Sequence, residues 1–283
     1  MPGTLFVVAT PIGNLEDITA RALRLLREVA LIAAEDTRRT AHLLARYGIT
    51  TPTTSLREHN EARASPALVA RLQRGECIAL VSDAGTPTVS DPGQRLIRDA
   101  FDAGIRVEPI PGPSAILAML SASGMPSERF TFLGFPPTRP GDRKRWFETA
   151  RSTGHTVVFF EAPHRIKSTL EQLYRTVGDC PIAVGRELTK MHEQLVKGPI
   201  SSVLEQILPA RGEYTIVADI GRPIENAVSP VPGGDAVLHE FRELTENNGL
   251  PRRLAITTLA RKYGQSSREI YAIVEQAIKL GKR

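Results

Sequence analysis

Four short strand-like runs, three of them wholly apolar and the fourth, Val-Glu-Pro-Ile at 107–110, apolar at its ends, are each cut off by a turn and constrain this chain more than any other feature. Residues 78–81, Ile-Ala-Leu-Val, stop at Ser82-Asp83 and a Gly85-Thr86-Pro87 turn. Residues 5–9 stop at Thr10-Pro11-Ile12-Gly13-Asn14, residues 107–110 at Pro111-Gly112-Pro113-Ser114, and residues 157–160 at Glu161-Ala162-Pro163-His164. An apolar run of this length between turn residues reads as a buried strand, although periodicity alone also admits a short helix. Beyond the 82–87 turn, Ser90 or Asp91 is expected to cap a helix with Pro92 at its first position. In open α/β sheets, ligands sit at the carboxyl ends of strands. Four strand-end loops of this kind therefore predict one shared cleft.

The rest of the first third alternates in the same way. Helical patterns over 17–27, 37–47, 62–74 and 95–103 separate strand-like runs at 5–9, 29–33, 78–81 and 107–110. A β-α-β-α series predicts a mainly parallel sheet with helices on its faces. A helix over 113–122 is broken by Gly124-Met125-Pro126. A second block has strand candidates at 130–135, 156–160, 182–184 and 213–220, with helices at 143–151, 165–177 and 201–208. Residues 222–235 hold three prolines and two glycines and read as a linker. After it, Leu254, Ala255, Leu259 and Tyr263 repeat at helical spacing, Gly264 turns the chain, and Ser266-x-x-Glu269 is a capping box for a second helix. Two amphipathic helices across a Gly-containing turn predict helix-turn-helix geometry. The expected division is an α/β domain over 1–115, a second over 116–222, a linker over 223–235 and a basic helical module over 236–283.

Size and composition narrow the class. A chain of 283 residues with 41% apolar and 24% charged residues fits a globular protein of two or three domains. No apolar run approaches the roughly 18 residues that a spanning helix needs. The N-terminus has no basic leader region, so export is not expected. Cys77 and Cys180 form no disulfide or zinc pattern and read as reduced thiols, which places the protein in the cytoplasm. The net charge is +5, and residues 236–283 alone carry +4. A basic terminal module points to a polyanionic partner.

The loops lack the signatures of common nucleotide sites. There is no G-x-x-x-x-G-K-[ST] and no G-x-G-x-x-G after the first strand, only an acidic pair, Glu35-Asp36, after the second. No Cys/His cluster has zinc spacing, and no G-x-S-x-G elbow exists. What the loops offer is backbone amides, small side chains and one placed carboxylate. Residues 10–13 and 84–87 let the main chain approach a flat or extended ligand. Ser114 and Ala115 open a helix whose free amides favour a carboxylate, and Asp83 is positioned to accept from a hydroxyl or an ammonium. Such a cleft suits a small zwitterion bearing an aromatic base, a description that S-adenosylmethionine meets.

At this point the residues carry a resemblance. The stretches F-V-V-A-T-P-I-G-N-L-E-D-I-T (6–19), A-E-D-T-R (34–38), L-V-S-D-A-G-T-P-T-V-S-D-P-G (80–93), P-I-P-G-P-S-A (109–115), F-L-G-F (132–135), F-F-E-A-P-H-R-I (159–166) and G-R-E-L-T-K (185–190) resemble, in collinear order, the ribosomal RNA small subunit methyltransferase I family of the tetrapyrrole methylase superfamily. The resemblance implies a two-domain α/β protein that holds S-adenosyl-L-methionine in an interdomain cleft, as a homodimer. It implies 2′-O-methylation of a decoding-site cytidine in 16S rRNA, within the 30S subunit. It places cofactor contacts on Ile12, Asp83, Thr86, Ser114, Ala115, Phe160 and Leu188, with Pro11, Gly13 and Gly85 shaping the loops. The tail is similar to the family's helix-turn-helix module. One stretch departs from the pattern: a histidine-rich F/Y-H-E-H-N-E motif stands here as Leu56-Arg57-Glu58-His59-Asn60-Glu61.

A ribose hydroxyl is a weak nucleophile, and a base accelerates its attack by about a hundredfold or more. Glu35, Asp36, His59, Glu161, His164 and Glu187 are the candidates, with none singled out. Arg38, Arg165, Arg186 and Lys190 lie in the loop motifs and are expected to contact phosphates. Two other functions stay open at this stage: a methylase acting on a tetrapyrrole, against which the basic tail argues, and a catalytically silent RNA- or ribosome-binding protein.

Overall fold

The computed structural model describes residues 1–207, 212–221, 234–247, 250–263 and 265–280. By their contacts these form two compact units, Met1–Ile220 and Gly221–Arg283.

The first unit contains two five-stranded sheets. The first runs β1 (Thr4–Val8), α1 (Ala20–Glu28), β2 (Leu31–Ala34), α2 (Thr37–Arg46), β3 (Thr53–Ser55), α3 (Glu61–Gln73), β4 (Ile78–Val81), α4 (Gln94–Asp102) and β5 (Arg106–Ile110). Its strand order is β3-β2-β4-β1-β5 and every pairing is parallel. The apolar runs are continuous because both faces of the sheet are covered. Ala79 and Val81 point with Ile32 and Ala34 toward α1 and α2, where Leu25, Leu26, Leu43 and Leu44 meet them. Ile78 and Leu80 point with Leu5, Leu31 and Ala33 toward Leu68, Leu72, Leu96 and Ala100 of α3 and α4. Full burial of each leucine, isoleucine or valine among these contributes about 1.5–3 kcal/mol. Because β4, β1 and β5 are neighbours in register, with Leu5 beside both Ile78 and Val107, the turns that leave their carboxyl ends emerge side by side.

The second sheet follows α5 (Ala115–Ser123) and is built from β6 (Phe130–Phe132), α6 (Pro140–Ser152), β7 (Thr156–Glu161), α7 (Ile166–Val177), β8 (Pro181–Arg186), β9 (Gln194–Pro199), α8 (Ile200–Gln206) and β10 (Tyr214–Asp219), in the order β6-β7-β10-β8-β9. Only β6 and β7 are parallel; the other pairings are antiparallel. The alternation of β7 has a functional consequence. Val157 and Phe159 face the core shared with α6, α7 and α8, whereas Val158 and Phe160 face α5.

Four differences from the sequence reading have physical causes. The helix expected from Ser90–Pro92 begins at Gln94, behind Gly93 at φ 120°; Thr88 and Ser90 take left-handed backbone angles instead. The strands β3 and β9 are edge strands made of Thr53-Thr54-Ser55 and of mostly exposed Gln194–Pro199, so neither carries an apolar run. The helix expected over 143–151 begins earlier, at Pro140, which sits in its first turn, where its missing N–H costs no hydrogen bond. The tail contains a third helix, and it begins within the expected linker.

The second unit consists of α9 (Gly234–Arg242), a π-helical turn over Glu243–Asn247, α10 (Arg252–Lys262) and α11 (Ser267–Leu280). The linker expected over 223–235 lies outside the described residues up to 233, and so does Gly264. Val237, Phe241, Leu259, Tyr263, Ile270 and Val274 form the buried centre of this unit. Its capping box is present: the Ser266 N–H donates to Glu269 Oε2 at 2.8 Å and the Glu269 N–H donates to Ser266 Oγ at 3.2 Å. Among the described residues, no helix is long and apolar enough to cross a membrane.

Candidate functional site

The turns after β1, β4 and β5 open into one cleft of about 280 Å³. Two reciprocal backbone bonds clasp the first two turns: the Thr10 N–H donates to the Gly85 carbonyl and the Gly85 N–H to the Thr10 carbonyl, both at 2.9 Å. Gly85 sits at φ 79°, a conformation that glycine adopts without a Cβ clash. The Thr10 hydroxyl adds a bond to the Ser82 carbonyl at 3.1 Å, and the Thr86 hydroxyl reaches the Pro113 carbonyl at 3.3 Å. Ser114 caps α5, its Oγ accepting from the Leu117 N–H at 3.4 Å. The first turn of a helix leaves N–H groups without intrahelical acceptors, and here that turn, with Ser114, Ala115 and Ile116, lines the cleft.

The second sheet supplies the opposite wall. Phe160, Leu188 and Thr215 line it together with Ile12 and Phe135. The Phe160 ring is met edge-on by Phe132, with centroids 5.0 Å apart, and by a tilted Phe135 at 5.4 Å. The β8–β9 turn approaches the β1 turn closely. A Cβ at Gly13 would stand 2.9 Å from the Leu188 carbonyl oxygen and 2.8 Å from Thr189 Oγ1, and the neighbouring Asn14 N–H donates to Thr189 Oγ1 at 2.9 Å. Gly13→Ala is therefore expected to destabilise the protein by roughly 1–3 kcal/mol through overpacking; a melting curve identical to that of the parent would refute the close approach. Among the described residues, the four non-glycine positions with positive φ are Thr88, Ser90, Glu187 and Thr189. All four lie in two turns bordering this cleft, and such strain concentrates at functional sites.

Carboxylates dominate the polar lining. Asp83 accepts from the Asp36 N–H at 2.9 Å and forms an ion pair with Arg39 at 3.4 Å, while its own N–H donates to Glu35 Oε2 at 3.2 Å. Burial raises the Glu35 carboxyl, and the negative charge of Asp83 adds to that, against the hydrogen bond from the Asp83 backbone. Burial also pushes Asp91 up to about 6; Glu35, Asp83 and Glu213 reinforce the rise, and the Ser82 hydroxyl opposes it. A carboxyl raised in the folded state favours folding when protonated, so this stabilisation is present below about pH 4 and is lost as the pH rises through 6. Asp91→Asn is accordingly expected to raise the melting temperature at about pH 7.5 and to leave it unchanged near pH 4. A gain of equal size at both values would contradict the shift.

Of the expected cofactor contacts, Ile12, Asp83, Gly85, Thr86, Ser114, Ala115, Phe160 and Leu188 line this one cleft, while Pro11 and Gly13 support its rim from behind. The fourth loop does not reach it. Phe160 faces the cleft, so the next residue, Glu161, faces the other side of the sheet and is fully buried. There Glu161 pairs with Arg165 at 3.3 Å, lies 3.9 Å from Arg143, and accepts from the Thr169 hydroxyl and the Ala162 N–H. Arg165 also donates to the carbonyls of Pro136 and Pro137. This guanidinium, expected on phosphates, is instead spent inside the protein. Arg186 is half-buried beside a separate cavity with Gln194 and Gln206. Arg38 is exposed on α2 outside the cleft, where its backbone N–H is capped by Asp36. Lys190 is exposed at the cleft and pairs with Glu187 at 2.9 Å.

Among the candidate bases, Glu35 and Glu187 line the cleft; Asp36 caps α2, and His59 and His164 are exposed elsewhere. Sequence reasoning missed Arg39, Asp91 and Glu213. Asp91 lay within a quoted motif but was read as a helix cap, and Glu213 is brought in by the antiparallel pairing of β10 with β7 and β8. Among the described residues, no group of three or more His, Cys, Asp or Glu is arranged to hold a metal ion.

The fold is that of the tetrapyrrole methylases, and the chain belongs to that class: the model of the tetrapyrrole (corrin/porphyrin) methylases matches residues 4–204. Solved structures share this architecture. Diphthine synthase superposes with a TM-score of 0.61 at 16% identity over 77% of this chain and 90% of its own. Cobalt precorrin-4 methyltransferase superposes at 0.57 with 15% identity over 78% and 96%. Within that class the chain belongs to the ribosomal RNA small subunit methyltransferase I family. It is 39% identical to the member from Halalkalibacterium halodurans over 97% of this chain and 95% of the relative. It is 43% identical to that from Mesorhizobium japonicum over 88% and 90%, and 48% identical to that from Xylella fastidiosa over 76% and 81%. It is a methyltransferase by family.

Proposed function

We propose that the protein methylates the 16S rRNA of the small ribosomal subunit, on the ribose 2′-oxygen of a decoding-site cytidine, acting on the 30S particle as a homodimer in the cytoplasm. S-adenosyl-L-methionine is the methyl donor. A structural relative, the uroporphyrin-III C-methyltransferase of Thermus thermophilus, is described in complex with S-adenosyl homocysteine and superposes with a TM-score of 0.54 at 18% identity. The observation that carries the reading is the convergence of three strand-end turns and the β8–β9 turn on one cleft whose charge and shape suit that donor.

The residues fit the donor part by part. Asp83, Glu35 and Asp91 supply negative charge for a molecule with an ammonium and a sulfonium. The first turn of α5, at Ser114 and Ala115, supplies N–H groups for its carboxylate. Ile12, Phe160 and Leu188 supply apolar surface for its base, and Pro11, Gly13 and Gly85 shape the turns. The donor contributes a methyl group on a sulfonium whose leaving group departs neutral. The protein's part is alignment, worth up to roughly 7–11 kcal/mol when acceptor, carbon and leaving group are in line. Four carboxylates, Glu35, Asp91, Glu187 and Glu213, border the space in which the attacking hydroxyl gives up its proton. Arg38, Arg39 and Lys190 sit on or beside the rim, where cations steer a phosphate backbone. Arg165 and Arg186 are left out of that role because their guanidiniums are turned inward.

Purified 30S particles, protein-free 16S RNA and a tetrapyrrole, each incubated with methyl-labelled donor and followed by nuclease mapping, test the reading. Label on one ribose of 30S-derived RNA is expected. Label on the tetrapyrrole, or none at all, would overturn it.

A further inference from the structure

The helical unit treats its cations unequally. Arg252 pairs with Glu275 at 3.1 Å and lies over the Phe241 ring, and Lys262 pairs with Glu240 at 2.7 Å. Arg253 and Arg268 are exposed and, among the described residues, have no carboxylate partner. These two arginines, with Arg252, Ile256, Thr257 and Ser267, line a cavity of about 650 Å³ between α10 and α11. Tyr271 completes the lining with 54% of its surface exposed. Among the described residues, its ring has no aromatic or cationic partner.

An exposed aromatic ring that lines one cavity with two guanidiniums lacking carboxylate partners carries two costs: the ring exposes apolar area, and the like charges share one surface without a counter-charge. Both costs are relieved by one kind of ligand, a chain that alternates an aromatic face with anionic links. A single-stranded nucleic acid has that chemistry. Bases stack on aromatic side chains, and arginines take the flanking phosphates bidentately. A duplex lacks the exposed base face, and an acidic peptide satisfies the guanidiniums but not the ring. We propose that the α10–α11 face is a docking site for a single-stranded RNA segment, with Tyr271 stacking on an unpaired base and Arg253 and Arg268 holding the phosphates on either side. The choice of RNA rests on the substrate class proposed above; the stacking geometry does not.

The full-length protein is titrated, without methyl donor, into a short fluorescein-labelled single-stranded RNA of mixed sequence, and the anisotropy is followed across a salt series. Tyr271→Ala is expected to weaken binding by about 5- to 150-fold with the salt slope unchanged, and Tyr271→Phe to restore it. Arg253→Ala combined with Arg268→Ala is expected to lower the salt slope by about 1.4, at roughly 0.7 per phosphate released from a single strand. Donor binding, read by calorimetry, should be unchanged in all three variants. Parental affinity for single strands in Tyr271→Ala, equal affinity for a duplex, or displacement by an acidic polypeptide that is equally effective on Tyr271→Ala would each overturn the proposal. If the oligonucleotide binds here as described while 30S particles remain unmethylated, the substrate reading fails and the docking site stands.

Discussion

Replacing Glu161 by alanine is expected to destabilise the protein by roughly 3–5 kcal/mol. The carboxylate is fully buried, and among the described residues it is the only one paired with two guanidiniums whose side chains are 13% and 19% exposed, those of Arg143 and Arg165. Removing it leaves two cations out of water and close to one another. Burial already lowers Arg143 below the usual arginine range, and the nearby Arg165 charge adds to that, with Glu161 working the other way. Thr169 and the Ala162 N–H lose their acceptor as well. For a unit of this size such a loss lowers the melting temperature by about 6–20 °C. The companion variant, Arg165→Met, separates structural from RNA roles. It is expected to lower the melting temperature while leaving the salt slope of RNA binding unchanged, because its guanidinium is committed to Glu161 and to the Pro136 and Pro137 carbonyls. A slope reduced by about 0.7 would return Arg165 to the phosphate contacts.

Asp83→Asn is expected to weaken binding of S-adenosylmethionine by about 10- to 100-fold, the loss of one hydrogen bond to a charged group at roughly 1.5–3 kcal/mol. Its effect on folding should be small, because the asparagine carbonyl can still accept from the Asp36 N–H that Asp83 now holds at 2.9 Å. Asparagine is therefore a sharper probe than alanine, which would leave that N–H at the start of α2 without an acceptor. Calorimetry on the variant, paired with a melting curve, gives both numbers. A parental affinity with an unchanged melting point would remove Asp83 from the account.

How much of this was legible in the sequence follows from which forces write themselves into a linear pattern. Strands covered on both faces must be apolar at every position, so Leu5, Ile78 and Leu80 announced β1 and β4, and the Gly and Pro turns behind them and behind Ile110 announced the cleft. Edge strands escape that requirement, which is why β3 and β9 left no mark. Glu161 was misread because sequence places it in a loop motif, whereas the period-two alternation of β7, fixed by Phe160 facing the cleft, turns it into the core. Its neighbours Arg143 and Thr169 come from α6 and α7 and share no local spacing with it. Arg39 and Arg38 are adjacent in sequence, and only the phase of α2 against Asp83 selects the former. Glu213 reaches the cleft through antiparallel pairing across dozens of residues, for which one sequence carries no signal.

The account depends on the turns after β1, β4 and β5 and the β8–β9 turn gripping one small molecule. A crystal of the protein grown with S-adenosyl homocysteine tests this most directly. The expected result is density in the cleft bounded by Ile12, Asp83–Thr86, Ser114–Ala115, Phe160 and Leu188, with the ligand carboxylate against the first turn of α5. Density seated elsewhere on the protein, or an empty cleft under conditions where calorimetry shows saturation, would contradict it.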